Sequence, residues 1–506
     1  MTGRVLTGGF MGLKGGNGEK GFFLSAAAVF AASAILYAAT VGYGFVFDDI
    51  PLLDYLSRIA QEKNLWGLLN SDFRVLPDTP LGYYRPAVLL SLHIDDLLSG
   101  HRPWLFHLTN VLINSLNTLL VLVLARKLTG RDAAALIAAL FFIVFPVHVE
   151  AVTFISCRTD LLSTFFVLAA MIFWWNASRG DGRPVWGILS GLSIVPAVFS
   201  KESALMLPAV LAVFEVLLPE RGEGKPVVRR FLSWAPHMAL GVVFALAWRL
   251  LVAQVALGRG VYPPIFADQS TLPDHPSLYL GIWCHYAWTL LVGWPLSAFY
   301  DAVKVFPSVK SVCALIVLVA LFFSAGFKKR ENMALLAWFA LLILPLSGVV
   351  PIAGVIVADR YLYAPSAAFA ILLGGSAARL IDAGGSTRKA AVAVAAALVL
   401  AYASLSAARL PAWKDGIAFY TRLISDEPGL SAGWFGMGTE LYKAGRYEEA
   451  LPYLKKTVKL DPGNFGAYQH MSFIYRMTGR PAEADEATRR YLYYQDMEKR
   501  YFQQKR

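Results

Sequence analysis

The chain has 506 residues, of which 57% are apolar and 16% are charged, and its mean hydropathy is +0.51. A soluble chain of this length would form several domains, but this composition indicates a protein dissolved mostly in lipid. The net charge of +11 does not indicate a nucleic-acid partner, because the Lys and Arg residues lie in short loops between apolar runs. The three cysteines form no CxxC pair, so neither a disulfide framework nor structural zinc is predicted.

The first apolar run follows Arg4, Lys14 and Lys20 and has no small-residue cleavage site, so residues 1–20 are predicted to be a cytoplasmic N-terminus before a retained helix. A membrane span takes about 20 apolar residues. Because open backbone in lipid is costly and barrel strands would alternate, the spans must be helices. Apolar runs occupy 21–44, 104–125, 133–147, 161–177, 185–199, 204–218, 231–255, 278–296, 309–326, 333–357, 361–378 and 390–408. We therefore predict an all-α polytopic bundle over 21–408.

Loop charges predict how the bundle is oriented, because Lys and Arg concentrate on the cytoplasmic side. With the N-terminus inside, the basic loops after the second, fourth and sixth runs all fall inside. If 278–296 crossed the membrane, the basic loop 328–330 would lie outside. The Trp and Tyr residues of 278–300, together with Pro295, favour an interfacial segment there instead. The prediction is eleven spans in a bacterial inner membrane, with a first loop 45–103, a segment 256–308 and the C-terminal domain 409–506 outside.

The C-terminal domain shows an internal repeat. Five pairs of similar residues are each 34 positions apart, namely Trp434 and Tyr468, Met437 and Met471, Gly445 and Gly479, Arg446 and Arg480, and Ala450 and Ala484. This is the period of a tetratricopeptide repeat. The pattern predicts a short α-solenoid with a half repeat at 413–428 and repeats at 431–464 and 465–498, which leans on the membrane domain for stability.

Two adjacent carboxylates, Asp48 and Asp49, directly follow the first span. One of them, aimed at an acceptor hydroxyl, can act as a general base while the other holds substrate or a divalent cation. A solvated pair at a helix end is the alternative interpretation.

Further ionisable residues lie in the predicted outer turns. The turn 146–160 carries His148, Glu150, Arg158 and Asp160, and 200–203 carries Lys201 and Glu202, while Asp359 and Arg360 precede the tenth span. Such groups at membrane depth tend to be paired and to line a substrate path. Lys201 and Arg360 suit a phosphate, although structural ion pairs and side chains that reach towards the interface remain open. A polar stripe in the second span, His107, Asn110, Asn114 and Asn117, is interpreted as interhelical hydrogen bonding.

Several motifs together resemble a known family. They are Phe47-Asp48-Asp49, Tyr84-Arg85-Pro86, Pro146 to Val152, Arg158-Thr159-Asp160, Lys201-Glu202 and Asp359 to Tyr363. In this order, and with the trailing repeats, they resemble the transmembrane and tetratricopeptide repeat-containing (TMTC) O-mannosyltransferases and their bacterial relatives, in the GT-C glycosyltransferase superfamily. The short repeat array departs from the eukaryotic members, which have many more repeats.

The resemblance implies a polyprenyl-phosphate sugar donor and an acidic residue of the first outer loop as catalytic base. On this basis we expect Asp48 to be the base with Asp49 assisting. Arg360, Arg158 and Lys201 are the candidates for binding the donor phosphate. His148, Glu150, Asp160, Glu202 and Arg85 are expected to orient substrate. The acceptor is expected to be a protein or cell-envelope hydroxyl, reached through the repeat groove. A magnesium or manganese ion stays open, and no nucleic acid is expected.

Two other classes of function are weighed against the transferase. In a membrane scaffold, the repeats would recruit a partner and the bundle would only anchor them. Charged residues kept in several short outer turns argue against a mere anchor, because they are costly there. A transporter would place charges near the middle of the membrane, whereas these cluster at helix ends.

The loop charges generate a first testable prediction. A periplasmic reporter enzyme fused after Arg506 should be active, because the predicted topology places the repeats outside the cytoplasm. A cytoplasmic reporter at the same position is the control and should be silent. Activity of the cytoplasmic reporter would mean that 278–296 is a true span.

Overall fold

The computed structural model describes residues 17–62, 65–71, 73, 83–180, 183–218, 226–252, 276–300, 305–324, 329–347 and 357–504. Within these ranges all regular structure is helical, so the predicted all-α class is confirmed. Some predictions lie outside the described residues: those for most of the N-terminus, for 74–82 of the first outer loop, for 253–275 of the outer segment, for the basic loop residue Lys328 and for 351–356.

Seventeen described α-helices precede the repeats. They are α1 Asn17–Tyr37, α2 Asp49–Glu62, α3 Leu65–Leu69, α4 Pro86–Ser99, α5 Pro103–Thr129, α6 Asp132–Val144, α7 His148–Thr153, α8 Arg158–Arg179, α9 Pro184–Val198, α10 Leu207–Leu217, α11 Val227–Leu232, α12 Ala235–Ala247, α13 Pro276–Val292, α14 Val309–Ser324, α15 Lys329–Ile343, α16 Tyr363–Asp382 and α17 Gly385–Arg409. The repeats consist of α18 Gly416–Asp426, α19 Ser431–Lys443, α20 Tyr447–Leu460, α21 Phe465–Met477 and α22 Pro481–Gln504.

Five described helices are long and apolar enough to cross a membrane, so the chain is a multi-pass membrane protein. They cover Glu19–Gly42, Pro103–Thr129, Ile155–Arg179, Asp359–Asp382 and Gly385–Trp413. Shorter apolar helices lie at Asp132–Val144, Pro184–Val198, Ala235–Leu251 and Val309–Phe323. The total of eleven spans and their orientation stay predictions.

Local chemistry explains how consecutive long helices turn back on each other. Gly130 ends α5 with φ of 69°, and Gly384 and Gly385 join α16 to α17 with φ of 74° and 53°. Glycine adopts this left-handed conformation without the strain that a Cβ would add. Gly374 allows α16 to pack closely on α6, because a Cβ there would lie 2.3 Å from the Ala134 carbonyl oxygen.

The polar stripe of α5 joins helices, as predicted. Asn110 donates to the Val152 carbonyl (3.2 Å), Asn114 to Ser33 Oγ (3.0 Å) and Asn117 to the Leu161 carbonyl (3.0 Å). These amides lie in the bundle interior, where an unpaired polar group would be costly. The interhelical interpretation is confirmed, and it ties α5 to α1, α7 and α8.

The first turns of the repeat domain pack on the membrane domain. The Gly44 N–H donates to the Lys414 carbonyl (2.9 Å). The Trp413 ring lies 5.2 Å from that of Phe154, and the Phe419 ring stacks at 5.8 Å on that of Phe47. The half repeat α18 is therefore joined directly to the loop that carries Asp48 and Asp49.

The packing of α18 on α19 generates a prediction about stability. Replacing Gly436 with Ala would place a Cβ 1.9 Å from a ring carbon of Tyr420, so the two helices would have to separate. We expect a loss of about 1–3 kcal/mol, typical of overpacking, seen as a lower melting temperature and earlier proteolysis between α18 and α19. The control is Gly463→Ala, where the nearest atom would be 3.4 Å away. Equal melting of both variants would contradict the close packing.

Candidate active site

Asp48 and Asp49 are adjacent in sequence but differ in environment. Asp49 is fully buried and accepts three hydrogen bonds, from Ser156 N–H (2.8 Å), Ser156 Oγ–H (2.7 Å) and Val46 N–H (3.3 Å). Asp48 is partly exposed, and its carboxylate has no hydrogen-bond or ion-pair partner among the described residues. Asp49 therefore joins the segment after α1 to the turn before α8, whereas the Asp48 carboxylate makes no such contact.

The residue before Asp48 has an unusual backbone. Phe47 has φ of 48°, a left-handed conformation that is strained for a bulky side chain. Its ring is held by those of Phe299 (5.1 Å), Phe419 (5.8 Å) and Phe154 (6.4 Å). Such strain persists only where the surroundings impose it, and it is concentrated at functional sites. Here it fixes the direction in which the chain presents Asp48.

The surroundings of Asp48 bring its pKa close to neutral pH. Burial raises the pKa of Asp48 to about 7; Arg360 opposes this rise and the neighbouring Asp49 carboxylate adds to it. Burial also raises the pKa of Asp49 to about 7, against the hydrogen bonds from Ser156, which favour its charged form. A carboxylate with a pKa near 7 is well matched to general-base catalysis at neutral pH.

Three cations of the predicted site form ion pairs with predicted carboxylates. Arg360 pairs with Glu150, and its backbone N–H also donates to Glu150 (3.1 Å). Lys201 Nζ lies 2.5 Å from Asp160 Oδ1. Both cations lie against the ring of Tyr361, with the Lys201 nitrogen 4.6 Å and the Arg360 Cζ 5.2 Å from its centroid. Tyr361 thus brings two of the pairs together.

The third pair lies beside them. Arg85 Nη2 is 3.0 Å from Glu202, and Arg249 Nη1 is 3.6 Å from the other oxygen of the same carboxylate. Glu202 is 30% exposed, so this group faces an opening rather than the core. Two guanidinium groups therefore converge on one carboxylate.

Arg158 and His148 have the contacts of core residues. Arg158 is completely buried, and its Nη1 pairs with Asp95 (2.5 Å) and also donates to Ser91 Oγ. Its Nε donates to Asn110 Oδ1 and its Nη2 to the Phe106 carbonyl. His148 is also fully buried, with Nε2 2.7 Å from Ser366 Oγ. These contacts favour packing roles over the predicted ligand roles, so neither residue is carried into the proposed mechanism.

A cavity of about 210 Å³ lies between α13 and the end of α18. Its walls include Trp288, Tyr300 and Lys310, together with Asp426 and Glu427 of the half repeat. Phe299, next to Tyr300, contacts Phe47, so the cavity and Asp48 lie on neighbouring sides of one aromatic cluster.

Sequence reasoning missed several of these residues. Asp95, Arg249 and Arg409 were not predicted, although each is an ionisable residue in or beside an apolar helix. That signal marks a residue as paired or functional but does not name its partner. Within the described residues, no three His, Cys, Asp or Glu side chains are arranged to hold a metal ion, and we assign no role to a divalent metal ion.

Two family models match parts of the chain. A model described as dolichyl-phosphate-mannose-protein mannosyltransferase matches residues 86–249, and a tetratricopeptide repeat model matches residues 441–504. The chain is 25% identical to protein O-mannosyl-transferase TMTC3 of Mus musculus, over 89% of this chain and 53% of that protein. It is 27% identical to protein O-mannosyl-transferase TMTC4 of Homo sapiens, over 67% of this chain and 53% of that protein.

The resemblance to the TMTC proteins is confirmed. The chain spans about half the length of the curated relatives it matches. Among solved structures it is similar to ArnT from Cupriavidus metallidurans bound to undecaprenyl phosphate, with 15% identity, a TM-score of 0.45 and coverage of 93% of this chain and 78% of that chain. It is also similar to the archaeal oligosaccharyltransferase AglB from Archaeoglobus fulgidus, with 14% identity, a TM-score of 0.46 and coverage of 78% and 56%.

Proposed function

We propose that this protein is a membrane glycosyltransferase that moves a hexose from a polyprenyl-phosphate donor to an acceptor hydroxyl on the outer face of the membrane. The observation that carries the proposal is Asp48, a carboxylate without a described partner and with a pKa near 7, beside a cluster of cations. The names of the matching relatives support this class of reaction and make mannose the first sugar to test.

The mechanism follows from the charges. Asp48 accepts the proton of the acceptor hydroxyl as its oxygen attacks the anomeric carbon of the sugar. The bond between that carbon and the phosphate oxygen breaks on the opposite face, so the configuration inverts. The polyprenyl phosphate leaves as an anion, and no carboxylic acid is needed to protonate it. Arg360, Lys201 and Arg85 stabilise the charge that builds up on the phosphate.

The cations retain capacity for a phosphate even though each is paired. A guanidinium group has five N–H donors and an ammonium has three. Glu150 engages one edge of Arg360, which is 18% exposed, and Asp160 engages one proton of Lys201. The remaining donors can bind phosphate oxygens, while the carboxylates hold the cations in place between reaction cycles.

Two neighbouring spaces are the proposed places for the donor and the acceptor. A narrow cleft of about 10 Å³ lies beside Lys201 and Tyr361; Ser163 and Thr164 line it together with Val167, Leu342 and Leu346, and a prenyl chain would have to widen it. The acceptor is proposed to be a protein or cell-envelope molecule. It would approach from the repeat side, where the cavity between α13 and α18 adjoins the aromatic cluster around Phe47.

Substitution of the proposed base gives the central test. Asp48→Asn keeps the shape of the side chain but removes the proton acceptor, so turnover should fall roughly 100-fold or more with donor affinity little changed. Release of polyprenyl phosphate and formation of the glycosylated acceptor are measured together in proteoliposomes. The matched control is Asp54→Asn, a carboxylate of α2 that is exposed to solvent. Near-normal turnover by Asp48→Asn would exclude Asp48 as the base.

The pH dependence gives a second, independent test. Only the ionised carboxylate can accept a proton, so kcat/KM of the wild-type protein should rise as pH increases through about 7 and then level off. Asp49→Asn should lower activity through its lost hydrogen bonds and should keep an inflection, moved to lower pH because the Asp49 charge that raises the pKa of Asp48 is removed. A profile that becomes flat in Asp49→Asn would identify Asp49 as the base instead.

A further inference from the structure

Arg409 lies where the membrane domain continues into the repeats. It is the last residue of α17, and the half repeat α18 begins seven residues later. Its side chain is 9% exposed, and Nη1 lies 2.7 Å from Oδ2 of Asp359. A cation at this depth is costly unless it is paired, so the contact with Asp359 holds the end of α17 in place.

Asp359 is a meeting point of three chain segments. Besides the ion pair with Arg409, it accepts a hydrogen bond from the Tyr300 hydroxyl (2.7 Å). The Tyr300 hydroxyl in turn accepts one from the Ser297 N–H (2.9 Å). Asp359 is 1% exposed, so these partners replace water around its charge. The carboxylate therefore fixes the turn before α16 to the segment after α13 and to the end of α17.

The next residue along the chain is Arg360. Asp359 and Arg360 belong to one short 3-10 turn, Asp359–Leu362, and Arg360 pairs with Glu150 on its other side. The Arg360 guanidinium is thus held directly by its ion pair with Glu150. It is also held indirectly, because Arg409 pairs with the preceding residue, Asp359. Loss of Arg409 would leave the Asp359 carboxylate buried without its counter-ion, and the turn would shift to hydrate it.

We propose that Arg409 is a positioning residue: through Asp359 it holds the Arg360 turn in the geometry that binds the donor phosphate, and it couples this turn to the repeat array. The inference rests on the proposed function, and in particular on the role of Arg360. It assigns Arg409 no contact with substrate.

Binding of polyprenyl phosphate to the purified full-length protein tests the inference without requiring turnover. Arg409→Met removes the charge but keeps much of the side-chain length, and binding should weaken by about tenfold, the equivalent of 1.4 kcal/mol. Arg409→Lys should recover part of the affinity, because it restores a cation without the guanidinium fork. The control is Arg422→Met, which removes an exposed ion pair with Asp426 in the half repeat and should leave binding unchanged.

A double-mutant cycle separates positioning from general stability. Arg360→Ala should weaken binding by itself, and adding Arg409→Met should then cause little further loss, because Arg409 acts through Arg360. Losses that multiply would overturn the inference. Melting temperatures identify variants that fail to fold. For that case Tyr300→Phe removes one hydroxyl, which contacts Asp359 and the Ser297 N–H, and should weaken binding in the same direction, by less than Arg409→Met.

The result also distinguishes this inference from the proposed function. If the wild-type protein binds no polyprenyl phosphate, the donor assignment and the inference both fail. If the wild-type protein binds it and the folded Arg409→Met and Tyr300→Phe variants bind it equally well, only the role of Arg409 is overturned.

Discussion

The cost of placing charge beside lipid determines much of this structure. Cations at the ends of the apolar helices are paired with carboxylates from distant parts of the chain, as in Arg158 with Asp95, Arg360 with Glu150 and Arg409 with Asp359. Each pair removes the penalty of an isolated buried charge and joins two segments at the same time. Among the carboxylates of the described site, Asp48 has no such cation partner and, unlike Asp49, accepts no hydrogen bond from Ser156, and this difference is the reason for assigning the chemistry to it.

The aromatic junction gives the base its orientation. Phe47 keeps a strained backbone because rings from α18, from the segment after α13 and from the turn before α8 surround its side chain. One of these rings, Phe419, belongs to the half repeat. The repeat array therefore contributes to the wall of the candidate site, beyond any role in recognising an acceptor. This arrangement also explains how so short an array is stabilised, since α18 shares its apolar contacts with the membrane domain.

Sequence reasoning predicted well what depends on local pattern. The run 104–125 corresponds to α5, and the period of 34 residues corresponds to the helix pairs of the repeats, because both signals repeat within a short stretch of chain. Ion pairs between residues far apart in the sequence could not be predicted in this way. The partner of Arg158 could not be identified from the sequence, because Asp95 is 63 positions away on α4. Glu215, within an apolar run, likewise pairs with Arg230 (3.1 Å) and accepts hydrogen bonds from Trp174, Ser178 and Trp234, all of which lie outside its own helix.

The pairing also bears on how a phosphate could be bound and released. Bare cations at the membrane face would hold an anion tightly, but they would be costly to bury while the site was empty. A carboxylate partner lowers that cost and competes with the phosphate, so it weakens binding of the departing lipid phosphate as well as of the donor. Glu202, with a guanidinium on each oxygen and 30% of its side chain exposed, is placed to balance the two requirements. Under the proposed function, Arg85 would turn towards an incoming phosphate and return to the Glu202 carboxylate when the phosphate leaves.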